Sequence, residues 1–247
     1  MTRLRRAVLA LGLTAGALSF NAPARADSFT PDQRAEIIAI IREALRTDPS
    51  ILRDAVSAMQ ADESARNQAS ARAAIAKLGD QLISPTDPVS GNPKGDVTIV
   101  EFFDTRCPYC RRLAPVLTEF LRQDRNVRIV HKDLPILGPA SVLGSKALLA
   151  AQKQNGYERM REAVMKLPPD TTMAQLEAAA KQVGLDWAKL SHDMDDPSVQ
   201  ARIDQNLKLA RVLDIQGTPA LIIGQQLIPG AVDLNDLKEA VAAARKG

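Results

Sequence analysis

The sequence predicts an α/β protein, and three observations support this fold class. Residues 97–103 are β-branched or aromatic at most positions, which is typical of a short buried strand. The periodic apolar residues after Cys107 predict a helix, and the alternating pattern of residues 127–132 predicts a second strand. A strand, a helix and a strand in this order predict a βαβ unit with a right-handed crossover.

The first 26 residues have the pattern of a secretory signal peptide. Arg3, Arg5 and Arg6 form a basic start, residues 7–20 are apolar, and small residues at 24–26 resemble a cleavage site. A membrane anchor is the weaker interpretation, because the apolar run is shorter than the ~20 residues that span a bilayer. We therefore expect a protein exported to an oxidising extracytoplasmic compartment, with no membrane insertion after the signal is removed.

Removal of this segment changes the charge balance. Four of the 32 basic residues (Arg3, Arg5, Arg6 and Arg25) lie within it, which leaves 28 basic residues against 29 acidic ones. A mature chain that is nearly neutral has no basic excess for nucleic acid to bind. The composition therefore excludes a nucleic-acid-binding function.

Residues 27–80 are predicted to be a helical arm and stem. Thr30, Pro31 and Gln33 form an N-terminal capping pattern, and Ile38 and Ile41 belong to an apolar face that follows it. Residues 60–76 are rich in alanine and polar side chains. Such short helices cannot bury a core alone, so they either fold back on the main domain or associate with copies of themselves. We favour self-association, because the polar stem would carry the apolar helices away from the main domain.

The rest of the chain divides at proline and glycine. Residues 81–96 contain three prolines and two glycines and are interpreted as a linker. Residues 97–247 form the catalytic domain, in which residues 139–213 are predicted to be a helical insertion. Two short apolar runs on either side of Gly224 predict a β-hairpin, and Asp233 begins a last helix.

Cys107 and Cys110 are the chain's two cysteines, and they are separated by Pro108 and Tyr109. The pair lies where a strand leads into a helix N-terminus, whose dipole favours a reactive thiolate at Cys107. A stabilising disulfide is a weaker interpretation because the closed loop is so small. A zinc site would need two further ligands, and the two histidines are distant in sequence. Redox chemistry is therefore favoured, and no metal or other cofactor is predicted.

Several motifs together resemble a known family. These are Glu101-Phe102-Phe103, the Cys-Pro-Tyr-Cys tetrad, Pro115 in the following helix, the helical insertion, and Thr218-Pro219 before the hairpin. The region from Val97 onward resembles the DsbA-like branch of the thioredoxin superfamily. With its arm, the mature chain is similar to the periplasmic ScsC and Com1-like proteins. The resemblance implies a thioredoxin fold with a helical insertion, preceded by an N-terminal helical oligomerisation arm.

The resemblance also implies residue roles. Cys107 would be the exposed attacking thiol and Cys110 the buried resolving thiol. Pro219 would be cis and lie against the cysteine pair, where the Thr218 backbone could pair with an extended substrate. Glu101 matches a buried acidic residue that assists proton transfer from the resolving cysteine.

The tetrad differs from the DsbA pattern in a way that bears on function. Pro108 and Tyr109 form the pair typical of glutaredoxins, which are less oxidising, and we expect both residues to contribute to substrate binding beside Cys107. Thr218 before the proline is more typical of periplasmic isomerases. These features favour a disulfide isomerase, with a dithiol oxidase or a non-enzymatic envelope binding protein as alternatives. Expected partners are disulfide-containing clients, a membrane thiol reductase of the ScsB or DsbD kind, and copies of the chain, a trimer by resemblance.

Overall fold

The computed structural model describes residues 29–246. The predicted signal peptide at residues 1–26 lies outside the described residues. Contacts divide the chain into two compact units, one ending at Gln60 and the other beginning at Ala61. Among residues 29–246, none of the helices has both the length and the apolarity needed to cross a bilayer.

The described part of the first unit is helical. It contains α1 (Pro31–Thr47) and the beginning of α2 (Ser50–Leu78). Thr30 and Gln33 form the predicted capping box: the Gln33 backbone N–H donates to the Thr30 hydroxyl at 3.3 Å, and the Thr30 N–H donates to the Gln33 amide oxygen at 2.9 Å. α1 has no buried residue. Its apolar side chains are exposed, including Ile38 at 48% and Ile41 at 51%.

The second unit contains a five-stranded sheet in the order β1-β3-β2-β4-β5. The central pair β2 and β3 is parallel, as the βαβ prediction requires, and the other pairs are antiparallel. Strands β4 and β5 form the predicted hairpin. The strands are β1 (Val89–Gly91), β2 (Val97–Phe103), β3 (Val127–Asp133), β4 (Ala220–Ile223) and β5 (Gln226–Pro229).

The helices of this unit cover both faces of the sheet. α3 (Pro108–Gln123) connects β2 to β3, and α9 (Leu234–Lys246) ends the described chain. The predicted helical insertion lies between β3 and β4. The helices of the insertion are α4 (Pro139–Gln152), α5 (Tyr157–Val164), α6 (Met173–Gln182), α7 (Trp187–Asp193) and α8 (Pro197–Val212). The predicted α/β fold is therefore confirmed.

Alternating side chains of β2 join different parts of the core. Ile99 packs with residues of α3 and α9, and Phe103 packs with both cysteines and the insertion. Val100 and Phe102, on the opposite face, pack with Ile75 of α2 and with residues of α8. Glu101 lies between Ile99 and Phe103 in the strand, so its side chain shares their face of the sheet. The strand therefore carries a carboxyl group into the core beside the cysteines.

The structure differs from the expected segment boundaries. Residues 81–96, interpreted as a linker, contain β1, which pairs with β3 through Ser90 and Ile129. The later part of the predicted stem belongs to the second unit, where Ala71 and Ile75 are buried. The prolines and glycines of residues 81–96 favoured a linker, although three of these residues form a strand. The alanine-rich helix packs on the second unit through a single buried face that includes Ala71 and Ile75. The catalytic unit therefore begins earlier than expected.

Candidate active site

Cys107 occupies the N-cap position of α3, directly after the loop that follows β2. Its backbone N–H donates to the Asp104 carbonyl at 3.1 Å, which closes a tight turn, and Pro108 begins the helix. Proline suits the first helical position because its fixed φ fits the helix and it has no N–H to leave unpaired. The thiol thus lies at the positive end of the α3 dipole, which stabilises a thiolate.

Thr218, which precedes Pro219, lies against this thiol. The Thr218–Pro219 peptide bond is cis. The Cys107 Sγ donates to the Thr218 carbonyl at 3.1 Å, although the two residues are 111 positions apart. The Pro219 carbonyl accepts from the Gly230 N–H at 2.8 Å, which ties this loop to the end of the hairpin. The fold thus brings together two motifs from opposite ends of the catalytic domain.

The two cysteines differ less in exposure than expected. Cys107 is only 4% exposed, because the Thr218 loop lies over its sulfur, and Cys110 is fully buried. The expectation of an exposed attacking thiol was therefore wrong for this state. Burial raises the pKa of the Cys110 thiol well above its ordinary value. Nearby charge on Cys107 and Glu101 raises it further, against hydrogen bonds with the Asp104 backbone and Thr218.

The rim of the site is apolar and held in place by a buried carboxylate. Tyr109 is 53% exposed, and Ile136 and Leu137 are also exposed. Asp104 is buried, and one of its oxygens accepts from the backbone N–H groups of Ile136 and Leu137 at 2.8 and 3.0 Å. Its other oxygen accepts from the Arg106 N–H at 2.8 Å. Asp104 thus positions an apolar loop beside the cysteine motif.

Arg106 strengthens this arrangement. Its guanidinium donates to the carbonyls of Leu137 and Pro169, the latter at 2.9 Å, and pairs with Asp170 at 2.6 Å. Arg106 thereby connects the loop before α4 and the loop after α5 to the cysteine motif.

Glu101 is fully buried and has two partners that sequence reasoning missed. Arg161 of α5 donates to its two oxygens at 3.1 and 2.8 Å, and His131 Nδ1 lies 2.8 Å from Oε2. Burial by itself would raise the pKa of the Glu101 carboxyl. The charges and hydrogen bonds of Arg161 and His131 outweigh burial, so the net shift of its pKa is downward. Glu101 is thus held as a carboxylate inside the core.

A second buried carboxyl group has the opposite environment. Asp133 accepts a hydrogen bond from the Tyr157 hydroxyl at 2.8 Å and has no paired cation. Burial raises the pKa of Asp133 to about 7, with a smaller upward effect from Glu101, while Tyr157 and Arg161 lower it. Arg161 pairs with Glu101 rather than with Asp133. The pKa of Glu101 is therefore lowered, whereas the pKa of Asp133 is raised.

One sequence signal could have identified Arg161. It lies on the same side of α5 as Tyr157, Met160 and Val164, all of which are buried. A lone arginine on an apolar helix face requires a buried partner. His131 is 1% exposed and lies opposite Glu101 in the β2–β3 register.

Comparison with protein families decides the family. The sequence profile described as DSBA-like thioredoxin domain matches residues 98–242, which is more than half of the chain. The chain belongs to the DsbA-like thioredoxin family. A second profile, described as Copper resistance protein ScsC N-terminal domain, matches residues 33–66, within α1 and α2. The two matches relate the chain to ScsC.

Solved structures agree with this assignment. A thioredoxin-like oxidoreductase from Silicibacter pomeroyi DSS-3 is 41% identical with a TM-score of 0.66, and the match covers 68% of this chain and 98% of that one. A linker-deletion mutant of Proteus mirabilis ScsC is 28% identical with a TM-score of 0.66, and the match covers 90% of this chain and 99% of that one. The second match extends beyond the DsbA-like domain.

Curated relatives include proteins that are much longer. The Na(+)/H(+) antiporter NhaA 3 of Salinispora tropica is 29% identical over 187 residues. The match covers 71% of this chain but 29% of the antiporter. The chain therefore spans less than a third of the length of this relative.

Proposed function

We propose that this chain is a periplasmic thiol–disulfide oxidoreductase that acts as a disulfide isomerase. The observation that carries the proposal is the contact between the Cys107 thiol, at the N-cap of α3, and the Thr218 carbonyl beside a cis proline. This geometry combines a helix terminus that stabilises a thiolate with a backbone edge that can pair with an extended client. The similarity of the chain to a periplasmic thioredoxin-like protein from Salmonella enterica serovar Typhimurium supports the location.

The reaction begins at Cys107. Its thiolate attacks one sulfur of a client disulfide, so that a mixed disulfide forms and the other client sulfur leaves as a thiolate. Thr218 and Pro219 hold the client backbone, while Pro108 and Tyr109 contact side chains next to the sulfur. If a client thiolate then attacks the mixed disulfide, Cys107 is regenerated and the client disulfides are rearranged without net oxidation.

Cys110 clears mixed disulfides that do not rearrange. Its thiolate attacks Cys107 Sγ, a Cys107–Cys110 disulfide forms, and the client leaves with a reduced thiol. The attack requires removal of a proton from a thiol whose pKa is raised by burial. Glu101 is proposed to accept that proton, since its charge acts on Cys110 and its carboxyl group is held ionised. A membrane thiol reductase must then reduce the pair again.

The arm is proposed to hold several copies of the chain together. The exposure of Ile38 and Ile41 supports this, because apolar side chains along one helix face gain free energy when another surface covers them. Isomerases need reduced thiols in an oxidising compartment. Catalytic domains that face each other in an oligomer would shield Cys107 from an oxidase.

Thiol trapping in cells, combined with light scattering of the purified chain, tests the proposal. We expect the cysteine pair to be mostly reduced and the purified chain to be an oligomer. Ile41→Asp places a charge on the apolar face and should lower the mass towards that of one chain. Ala39→Asp, on the opposite face of α1, is the matched control and should leave the mass unchanged. A single chain with a fully oxidised pair would instead indicate a dithiol oxidase.

A further inference from the structure

The buried position of Glu101 creates a problem for proton transfer. A proton received there must return to solvent before the next cycle, yet both Glu101 and Cys110 are fully buried. In the mixed disulfide the client occupies the surface around Cys107 and Thr218, so that side of the site is covered. The proton therefore needs another way out of the core.

Three side chains connect Glu101 to the opposite side of β3. Glu101 Oε2 lies 2.8 Å from His131 Nδ1, and His131 Nε2 lies 2.6 Å from Ser90 Oγ. The Ser90 hydroxyl donates in turn to Oε2 of Glu158.

The exposure of these side chains changes along the chain of hydrogen bonds. Glu101 and His131 are 0% and 1% exposed, whereas the Glu158 side chain is 43% exposed. Ser90 lies in the edge strand β1 and lines, with Glu158, an open cleft. The hydrogen bonds therefore lead from the core to solvent without a break.

The cleft lies away from the client surface. Its other wall contains Thr118, Leu121 and Arg122, in the second half of α3. Cys107 caps the first turn of the same helix, which is 16 residues and so about 24 Å long. A client bound at Cys107 would thus leave this cleft open to water.

The hydrogens of this chain can be assigned. A serine hydroxyl has one hydrogen, and Ser90 donates it to Glu158, so His131 Nε2 must donate to Ser90 Oγ. Glu101 is held as a carboxylate, which only accepts hydrogen bonds, so His131 Nδ1 donates to it and each ring nitrogen carries a hydrogen. Arg161 donates to Glu101 from α5, and Tyr157, bonded to Asp133, stacks on the His131 ring at 5.7 Å. These contacts hold the carboxylate and the ring in position for transfer.

We propose that His131, Ser90 and Glu158 carry a proton from the core to the cleft beside β1 when Glu101 receives the proton of Cys110. The inference rests on the proposed role of Glu101 as proton acceptor. As the Cys110 proton passes to Glu101, the proton on Nε2 of His131 moves to Ser90 and the Ser90 proton moves to Glu158 and water, so that one proton leaves the core for the one that Glu101 receives. The Cys110 thiolate forms the disulfide with Cys107, and the client thiolate that leaves takes a proton from solvent.

A single-turnover experiment separates the two chemical steps. The reduced chain is mixed with a disulfide-linked peptide, and samples are quenched with acid and separated by mass into free protein, mixed disulfide and oxidised protein. Formation of the mixed disulfide reports on Cys107. Its conversion to oxidised protein reports on Cys110 and on the proton route.

Ser90→Ala breaks the route, and Glu158→Gln removes its exposed proton acceptor. We expect either change to slow the second step about tenfold near neutral pH. This factor is smaller than the usual effect of losing a general base, because Glu101 remains in place. The slowing should shrink as the pH rises and hydroxide becomes an alternative acceptor. The first step should keep its rate. Ser90→Thr retains the hydroxyl and should restore the second step.

Glu162→Gln is the matched control, because it removes a charge from an exposed position of the same helix α5. The proposal is overturned if Ser90→Ala and Glu158→Gln convert the mixed disulfide as fast as Glu162→Gln does at every pH. It is also overturned if Ser90→Ala slows both steps equally at all pH values while Glu158→Gln slows neither. A chain that forms no mixed disulfide at all would instead refute the proposed function.

Discussion

Arg161 is the buried cation that holds Glu101 ionised, and its replacement by methionine tests this directly. Its side chain is 3% exposed, pairs with Glu101 at 2.8 Å, and lies over the Phe103 ring at 5.0 Å. Methionine is unbranched and apolar, so it retains much of the packing on Phe103 while removing the charge. The main consequence is a buried carboxylate with only His131 as its partner.

The sign of the pH dependence should reverse in this variant. In the wild type the pKa of Glu101 is lowered, so the stability it contributes is present above its ordinary pKa and is lost as the pH falls through the lowered value. Without Arg161, burial is the dominant influence and raises the pKa of Glu101, so stability is lost as the pH rises. A broken buried ion pair costs about 3–5 kcal/mol. We expect a loss of this size in the free energy of unfolding near pH 8 and a smaller loss near pH 5.

Urea denaturation followed by fluorescence of Trp187, the single tryptophan, measures this free energy at each pH. Arg159→Met is the matched control, because it removes an exposed arginine from the same helix. Glu101→Gln combined with Arg161→Met should recover most of the loss, since the unpaired buried carboxylate is then removed. An equal loss at every pH, or no recovery in the double variant, would refute this account of Glu101.

Three further predictions follow from other buried contacts. Burial raises the pKa of Asp133 to about 7, so the folded protein loses stability as the pH rises from the ordinary pKa of an aspartate to about 7. Asp133→Asn should remove this pH dependence and raise the free energy of unfolding above pH 7 by at most about 4 kcal/mol. Cys110→Ser should accumulate mixed disulfides at Cys107, visible on non-reducing gels, and a variant that releases clients as fast as wild type would argue against Cys110 as the resolving thiol. Gly144→Ala would press a Cβ against the Thr105 side chain and should cost about 1–3 kcal/mol in thermal unfolding; unchanged stability would show that the loop before Cys107 can yield.

Features carried by local sequence could be predicted. The start of α1 follows from Thr30 and Gln33, the β4–β5 hairpin from Gly224, and the position of Cys107 at a helix N-terminus from its place between a strand and a helix. Each depends on residues close in the chain, where propensity and capping operate. The contact of Cys107 with Thr218 is not local, and it was expected only from resemblance to the DsbA-like branch.

Features that depend on tertiary register could not be predicted. His131 lies beside Glu101 because β2 and β3 pair in one particular register, and Arg161 reaches the same point from α5. Ser90 lies in residues 81–96, which were interpreted as a linker because they contain several prolines and glycines. The sequence could indicate that Glu101 is buried, since its neighbours are apolar. It could not indicate which partners make burial of a charge acceptable, because these come from two separate elements, α5 and β3.

The most direct test of the proposed activity is the recovery of a scrambled disulfide substrate. The reduced mature chain, beginning after residue 26, is incubated with the substrate, and the yield of native disulfides is followed over time. We expect catalytic recovery by the wild type and none by Cys107→Ser. If the wild type recovers no more native disulfides than Cys107→Ser, the claim that this site rearranges disulfides is contradicted.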